Sequence, residues 1–312
     1  MNPATNERKG RYETMTRITQ QAVLAAAVLL AIGAAHASEF CNIKIGARGL
    51  AMGGAFTAVS DDANLLQYNP SGLAFLSRKE LMISYVRWLG DTDTQYLGYV
   101  HPNLYKTINF GVGLQWFDVL MKKTDLNGFE MGDLKVNETM TTISLSSKLN
   151  PKTSIGANVK VVNSTLGKYT SNGLLLDAGI LLLDVSGLDI GASVNSLQVL
   201  PFQYRTEGEA ESVTSWMSAG IAKFMRMMVF SADVHVPMGG TESVTFGAGM
   251  EYMLMPELGL QVGYNAGTDV LGLSVGARLN LARGEDAYII NISYLPTGIS
   301  QVFSGSFNIK FK

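Results

Sequence analysis

The sequence predicts an all-β protein, a transmembrane antiparallel β-barrel of fourteen strands. Three observations support this fold class. Only 16% of the 312 residues are charged, yet no apolar run of 18 residues occurs beyond the N-terminal region. Fourteen segments alternate apolar residues with small or polar ones, and an even number fits bacterial single-chain barrels. Their polar faces carry mostly Gly, Ser, Thr and Asn, whereas a soluble sandwich would expose many Lys and Glu.

Residues 1–37 have the features of a secretory signal peptide. Four basic residues precede the 13-residue apolar run 22–34, which is too short to cross a bilayer as a helix. The small residues of "AHA" at 35–37 supply a cleavage site, so the mature chain is expected to begin at Ser38. Either Met1 or Met15 can be the translation start.

The remaining chain excludes several classes of function. It has 20 basic and 24 acidic residues and no basic block, so we expect no nucleic-acid partner. Cys41 is the single cysteine, so there is no intramolecular disulfide framework. We also found no nucleophile elbow, no zinc-ligand spacing and no supported pair of catalytic carboxylates, and we therefore expect neither enzyme activity nor a cofactor.

The segment 45–76, "IGARGLAMGGAFTAVSDDANLLQYNPSGLAFL", has glycines crowded as in a nucleotide-binding loop. Their positions, 46, 49, 53 and 54, do not give the G-x-G-x-x-G spacing of a dinucleotide site. A P-loop would need a Lys followed by Ser or Thr, and a β-α-β unit would have to surround either motif. Neither feature is present, so the sequence predicts no phosphate site here.

The fourteen predicted strands are separated by turn signals. They cover 80–89, 94–101, 106–118, 138–149, 153–166, 173–184, 187–198, 212–224, 226–236, 241–254, 258–267, 269–282, 285–296 and 300–311. The connections alternate in length. If residue 80 enters from the periplasm, the two longest connections, 119–137 and 199–211, both lie outside the cell, as in outer-membrane barrels.

Alternation also assigns side chains to the lipid or to the lumen. In 285–296, Tyr288 and Tyr294 share the apolar face about 20 Å apart, which predicts two aromatic girdles. The polar residues predicted to face the lumen are Lys148, Lys160, Asp177, Asp233, His235, Glu251 and Arg278. Leu175, Leu181 and Leu183 also point inward, which is unexpected for a water-filled pore and indicates contact with an apolar partner. Segments 80–89, 94–101 and 212–224 have ambiguous parity.

The C-terminus reads "SGSFNIKFK", with Phe307 and Phe311 on one face of the last strand. A last strand that ends in an aromatic residue resembles the signal by which outer-membrane proteins are recognised by the barrel insertion machinery. Lys312 follows Phe311 and departs slightly from a terminal Phe.

The N-terminal segment resembles that of the FadL-like outer-membrane transporters, particularly the PorV/PorQ branch. That branch opens with GARG-x-x-MGGAF-x-A-x-x-DDA and a Y-x-NPAGLA turn; this chain has "GARGLAMGGAFTAVSDDA" and "YNPSGLA". The resemblance implies that residues 38–79 fold into the lumen as a hatch and that 80–312 form the barrel. The hatch motif residues are Gly46, Arg48, Gly49, Gly53, Gly54, Asp61, Asp62, Asn69, Pro70 and Gly72.

A hatch inside a barrel needs partners for its charges. We expect Asp61 and Asp62 to meet a lumen cation, with three candidates: Lys148, Lys160 and Arg278. Arg48 could in turn meet Asp177, Asp233 or Glu251. Alternatively, the two aspartates only cap a turn or a short helix.

His235 and Asp233 lie two residues apart on one strand face and are expected to form a plain polar pair. His36 is lost with the signal peptide, so His101 and His235 alone remain, and no multi-histidine metal site can form.

Two functions follow from the resemblance, and a purely structural barrel or a closed porin is a third alternative. The first is passive uptake of hydrophobic small molecules across the outer membrane of a Gram-negative-type bacterium: a ligand is caught at external loops, reaches a site beside the hatch and leaves sideways through the wall. The external loops here reach at most about 19 residues, a departure from the family pattern, and no residue is carried over as a ligand contact. The alternative is a PorV-like role in type IX secretion, in which the loops 119–137 and 199–211 bind exported proteins. Expected partners are therefore outer-membrane lipids and either a hydrophobic ligand or an exported protein.

Overall fold

The computed structural model describes residues 39–88, 92–124, 129–202, 212–239, 242–267, 272–296 and 301–312. The predicted signal peptide lies outside the described residues, as does most of the predicted loop 199–211. Among the described residues, no helix has the length and apolar character needed to cross a membrane.

Fourteen antiparallel strands form one closed ring in which each strand pairs with its neighbours in sequence and β1 pairs with β14. This confirms the predicted fold class. The strands are β1 Lys79–Arg87, β2 Asp93–Tyr105, β3 Ile108–Thr124, β4 Glu130–Asn150, β5 Thr153–Leu166, β6 Tyr169–Val185, β7 Leu188–Leu200, β8 Trp216–Phe224, β9 Met228–Pro237, β10 Thr245–Met255, β11 Leu258–Ala266, β12 Leu273–Arg283, β13 Asp286–Pro296 and β14 Gln301–Phe311.

Within the ring, the strands alternate between an outer, largely apolar face and a buried lumen face, which is the pattern of a transmembrane barrel. In β13, for example, Ile290 and Ile292 are exposed on the outer wall while Asn291 is buried inside. The structure also shows which side chains face the lumen in the three segments of ambiguous parity. Their lumen faces hold Glu80, Met82, Ser84 and Val86 in β1, Thr94, Tyr96 and Val100 in β2, and Ser218 and Ala222 in β8.

The two ends of the barrel differ. At one end, which we call the short-turn end, the connections after the even-numbered strands β2 to β12 are each two or three residues long. The opposite end, the long-loop end, carries the remaining connections. The predicted alternation of connection lengths agrees with this arrangement.

The predicted loop 119–137 is wrong in its extent, because most of it is strand. Strands β3 and β4 continue to pair from Val119↔Val136 to Thr124↔Glu130, while β2 stops pairing with β3 at Asp93↔Asp118. A two-stranded hairpin therefore projects beyond the ring at the long-loop end. Both faces of such a hairpin meet water, so its sequence lacks the apolar alternation that identified the other strands.

Candidate functional site: the lumenal segment

Residues 39–78, here called the lumenal segment, lie inside the ring and contact its wall on many sides. They form a 3-10 turn at Glu39–Asn42, the short helices α1 (Ala47–Ala51) and α2 (Leu65–Tyr68), and a 3-10 helix at Pro70–Phe75. Almost every residue from Ile45 to Ala74 is buried. Strand side chains from β3 to β14 supply hydrogen bonds to its backbone; they include Asn109, Ser154, Asn158, Ser193, Asn195, Asp233, Asn265, Ser274 and Lys310.

Arg48 is the centre of a buried ionic cluster that joins the segment to the wall. Its Nε and Nη2 donate to the two carboxylate oxygens of Glu251 on β10 at 2.8 and 3.0 Å. Its Nη1 donates to Asp61 and, at 2.8 Å, to Asp62. The planar guanidinium has five N–H donors, so one side chain can hold three carboxylates at once. We refer to Arg48, Asp61, Asp62 and Glu251 as the Arg48 cluster.

Further wall residues surround this cluster. Arg278 on β12 donates to Glu251 at 3.2 Å, and Gln261 on β11 donates to the same carboxylate at 2.7 Å. Lys310 on β14 donates to the backbone carbonyl of Asp61 and lies 3.5 Å from Glu80. The cluster is thus held from four separate strands, and loss of its central cation would leave the buried Asp62 carboxylate without its ion-pair partner and Glu251 with Arg278 alone.

Glu251 is one of the three partners proposed for Arg48, but the expected partners of Asp61 and Asp62 need correction. Both aspartates pair with Arg48 itself. Lys160 instead pairs with Asp177 on the adjacent strand at 2.7 Å. Lys148 lies exposed at the short-turn end with its ammonium over the Phe75 ring.

A second polar region lies against α2 and the turn before it. The buried Lys160–Asp177 pair is joined by Asn158, which also donates to the Leu66 carbonyl at 3.0 Å. Lys44 lies nearby in the lumenal segment. Burial and the Lys160 charge lower the pKa of Lys44 to about 8, although Asp177 and Asp233 act in the opposite direction.

Asp233 has a structural role toward the lumenal segment. One of its carboxylate oxygens accepts the backbone N–H groups of Phe56 and Thr57, both at 2.8 Å. His235 Nε2 lies 4.0 Å from Asp233, and its Nδ1 lies 2.8 Å from the Ser218 hydroxyl. Within the described ranges, no group of His, Cys, Asp and Glu side chains could hold a metal ion.

The glycines of the motif serve close packing. Gly53 has φ +66°, and a Cβ there would come within 2.7 Å of the backbone of Ala248 and Tyr264 on the wall. A Cβ on Gly49 would meet the Tyr68 ring, and one on Gly72 would meet Leu65. The wall is matched to this fit: strand glycines at 247, 249 and 263 lie against residues 51–55. The alternation places Gly247 and Gly249 on the lumen face, where glycine leaves room for a hatch, but it does not indicate which residues of the lumenal segment they contact.

Asn69 fixes the Asn-Pro turn to the wall. Its side-chain oxygen accepts hydrogen bonds from the Ser71 amide and hydroxyl, and its Nδ2 donates to the carbonyls of Thr57 and Ile180. Pro70 is the first residue of the following 3-10 helix, where its missing N–H costs nothing.

We expect Asn69→Ala to lower the free energy of unfolding by about 2 kcal/mol, because several buried groups lose their partners. Asn64→Ala is the matched control. Asn64 is equally buried, but its side-chain atoms have no hydrogen-bond partner in the described structure, so its loss leaves no group unpaired. Urea unfolding of the two variants checks this. Equal destabilisation would contradict the role given to Asn69.

The lumen toward the long-loop end contains an apolar cluster. Phe40, Cys41 and Ile43 of the lumenal segment pack there against buried wall residues, which include Val86, Met140, Val162, Leu175, Phe202, Leu295 and Val302. Leu181 and Leu183 belong to a different cluster, with Met52, Phe56 and Tyr68. The three leucines predicted to point inward thus contact the lumenal segment at two separate places.

Aromatic residues pair on the outer wall. Tyr288 stacks on Phe307 with 6.4 Å between ring centroids, and Tyr294 contacts Phe303 at 4.9 Å. Phe311 stacks on Tyr99 at 6.5 Å. Tyr288 and Tyr294 lie near opposite ends of β13, as the girdle prediction requires; the insertion signal at Phe307 and Phe311 stays a prediction.

A family model described as "Uncharacterised protein family (UPF0164)" matches residues 31–173. No curated protein matches the chain in sequence.

Solved structures with a similar fold include a FadL homologue from Pseudomonas aeruginosa, with a TM-score of 0.62 and 12% identity over 86% of this chain and 98% of that chain. The CymD monoaromatic hydrocarbon channel gives 0.61 and 12% over 85% and 96%. The Pseudomonas putida toluene transporter TodX gives 0.60 and 13% over 89% and 98%. At these identities the likeness concerns the fold, and the chain therefore has a FadL-like fold.

Proposed function

We propose that the protein is an outer-membrane channel for the passive uptake of hydrophobic small molecules, in which the lumenal segment acts as a displaceable hatch. The observation that carries this proposal is the apolar cluster in the lumen at the long-loop end, which includes Phe40, Cys41 and Ile43 of the lumenal segment. A pore for polar solutes would have a polar interior. The FadL-like fold supports the same function, because similar structures include channels named for monoaromatic hydrocarbons and toluene.

The division of the lumen suggests how passage would occur. Phe40, Cys41 and Ile43 of the lumenal segment are held by apolar packing. The Arg48 cluster holds the segment at a second place, through buried ion pairs. A hydrophobic molecule entering from the long-loop end could replace the contacts of Phe40 and Ile43 with contacts of its own. Within the apolar cluster the substrate would be shielded from water, since the wall residues that belong to the cluster are apolar.

A sideways exit would require two strands to part, because the described strands are paired around the whole ring. The β6–β7 boundary is the best candidate. Its pairing register shifts three times, and the middle shift lies between Leu176 and Ala178, at Asp177. No other strand pair has more than one such shift among the described residues.

Uptake assays in cells that lack their own hydrophobic-compound channels test the function. We expect the protein to increase uptake of toluene or a long-chain fatty acid and to leave uptake of a small sugar unchanged. Leu175→Asn should reduce hydrophobic uptake roughly tenfold, because a buried amide without partners opposes apolar contact. Heat-dependent gel mobility verifies that the variant barrel is folded. Equal entry of sugar and hydrocarbon, or entry of neither, would refute the proposal.

The second candidate is the PorV-like role in type IX secretion, which stays a prediction. The projecting β3–β4 hairpin favours it, because Leu120 and Phe129 are 64% and 70% exposed there. Shortening the hairpin to remove 119–136 distinguishes the two functions. Loss of a bound exported protein with hydrophobic uptake intact would favour protein handling by the hairpin.

A further inference from the structure

The outer wall carries a shallow apolar groove of about 740 Å³ across β8 to β12. The outward row Ile221↔Ala232↔Ala248↔Tyr264 explains its shape, since two small side chains lie between two large ones. Phe230 and Met250 border the groove on the next outward row. Its floor is the strand backbone at Gly249 and Gly263, where the inner side is covered by Met52 and Gly53.

A cation lies at one border of this groove. Lys223 lines it, points outward and is exposed, and Arg226 follows in the short turn between β8 and β9. In the part of the chain that the structure describes, neither side chain has a carboxylate within ion-pair distance. Lys223 precedes the turn by two residues, so it lies near the rim of the barrel, where a long cationic side chain reaches lipid headgroups.

These features together identify a class of occupant. The groove faces the hydrocarbon, so only a membrane component reaches it. Apolar contact alone would not favour one chain over another, because every lipid tail offers it. A neighbouring cation does discriminate, since it attracts a phosphate. The volume lies within the range of ordinary ligand sites.

We propose that this groove binds one glycerophospholipid, with an acyl chain over Ala232 and Ala248 and its phosphate at Lys223. This site is separate from the lumen and stands whether or not the lumen carries hydrophobic molecules. It would fix the orientation and depth of the wall that lies directly outside Gly53.

Retention of lipid during detergent washing tests the site. The barrel is reconstituted in vesicles of equal phosphatidylglycerol and phosphatidylethanolamine, washed, and examined intact by mass spectrometry. We expect one retained phospholipid for the native chain. Ala248→Phe, which fills the groove with an apolar side chain, should lower lipid retention roughly tenfold. Lys223→Met should lower the ratio of retained phosphatidylglycerol to retained phosphatidylethanolamine, because it removes the cation.

Two controls accompany these variants. Ala157→Phe alters an outward alanine on β5, away from the groove, and Lys106→Met removes a cation from another short turn; both should retain lipid as the native chain does. Equal retention by the native chain and Ala248→Phe would overturn the proposal. Retention of diacylglycerol, which lacks the phosphate, at the same level as phospholipid would also overturn it. A protein that crosslinks to the groove of the native chain but not to that of Ala248→Phe would overturn it as well.

Discussion

Arg48→Met is expected to release the lumenal segment, at a cost of about 3–5 kcal/mol, because it leaves buried carboxylates without their central cation. Arg278 and Gln261 still contact Glu251, but neither contacts Asp61 or Asp62 in the structure. Cys41 provides the measurement. It is 3% exposed, so its reaction with a maleimide in membrane vesicles should be slow in the native chain and fast in the variant.

Arg87→Met is the matched control, because Arg87 pairs with Asp93 at 3.4 Å on the exposed rim. Such an exposed pair contributes little to stability, so labelling of Cys41 should stay slow. Arg48→Lys should fall between the two, since an ammonium keeps the charge but lacks the planar fork. Unchanged Cys41 labelling and an unchanged unfolding midpoint in Arg48→Met would show that the cluster does not hold the segment.

Gly53→Ala should have the second largest effect. The alanine would adopt a φ of +66°, and its Cβ would overlap the backbone of Ala248 and Tyr264 at 2.6–2.7 Å. Left-handed backbone costs roughly 1–2 kcal/mol for a residue with a Cβ. Overpacking against strand backbone adds about 1–3 kcal/mol, since these atoms belong to two paired strands and cannot shift independently.

Gly284→Ala separates these two costs. Gly284 has φ +65°, and a Cβ there would meet nothing within 4 Å. This control therefore includes the backbone strain and omits the wall contact. Urea unfolding and Cys41 labelling of both variants measure the difference. If Gly53→Ala is no more destabilised than Gly284→Ala, the close approach of segment and wall is not important for stability.

The strands were predictable because lipid imposes a two-residue period on a membrane barrel. That constraint places Glu251 and Asp177 in the lumen from sequence alone. It ends where lipid ends, which is why the β3–β4 hairpin was predicted as a loop. The period also gives only the side of the wall on which a residue lies. It does not give the position of a residue along the barrel axis or around the ring. The sequence therefore left three possible acceptors for Arg48, and the structure shows that Glu251 is the one beside it.

The lumenal segment could not have been derived from periodicity. Its helices have only four or five residues, and its burial depends on wall residues far away in sequence, such as Asp233 and Ser274, which are 177 and 223 positions from their partners. The resemblance of its motif supplied its location in the sequence. The reason for the motif lies in contacts that no local pattern encodes: the Gly53 backbone against β10 and β11, and Asn69 against β6.

The most direct test of the central claim asks whether hydrophobic molecules pass when the lumenal segment is tied to the wall. Ala55→Cys with Gly247→Cys in a Cys41→Ser background is suitable, because a Cβ at 247 lies 3.4 Å from that of Ala55, close to disulfide geometry. That Cβ also comes within 2.7 Å of the Gly53 carbonyl oxygen, so the reduced protein controls for strain. Uptake of a hydrophobic probe should be lost on oxidation and restored on reduction. Equal uptake in both states, with the disulfide verified by mass spectrometry, would contradict a displaceable hatch.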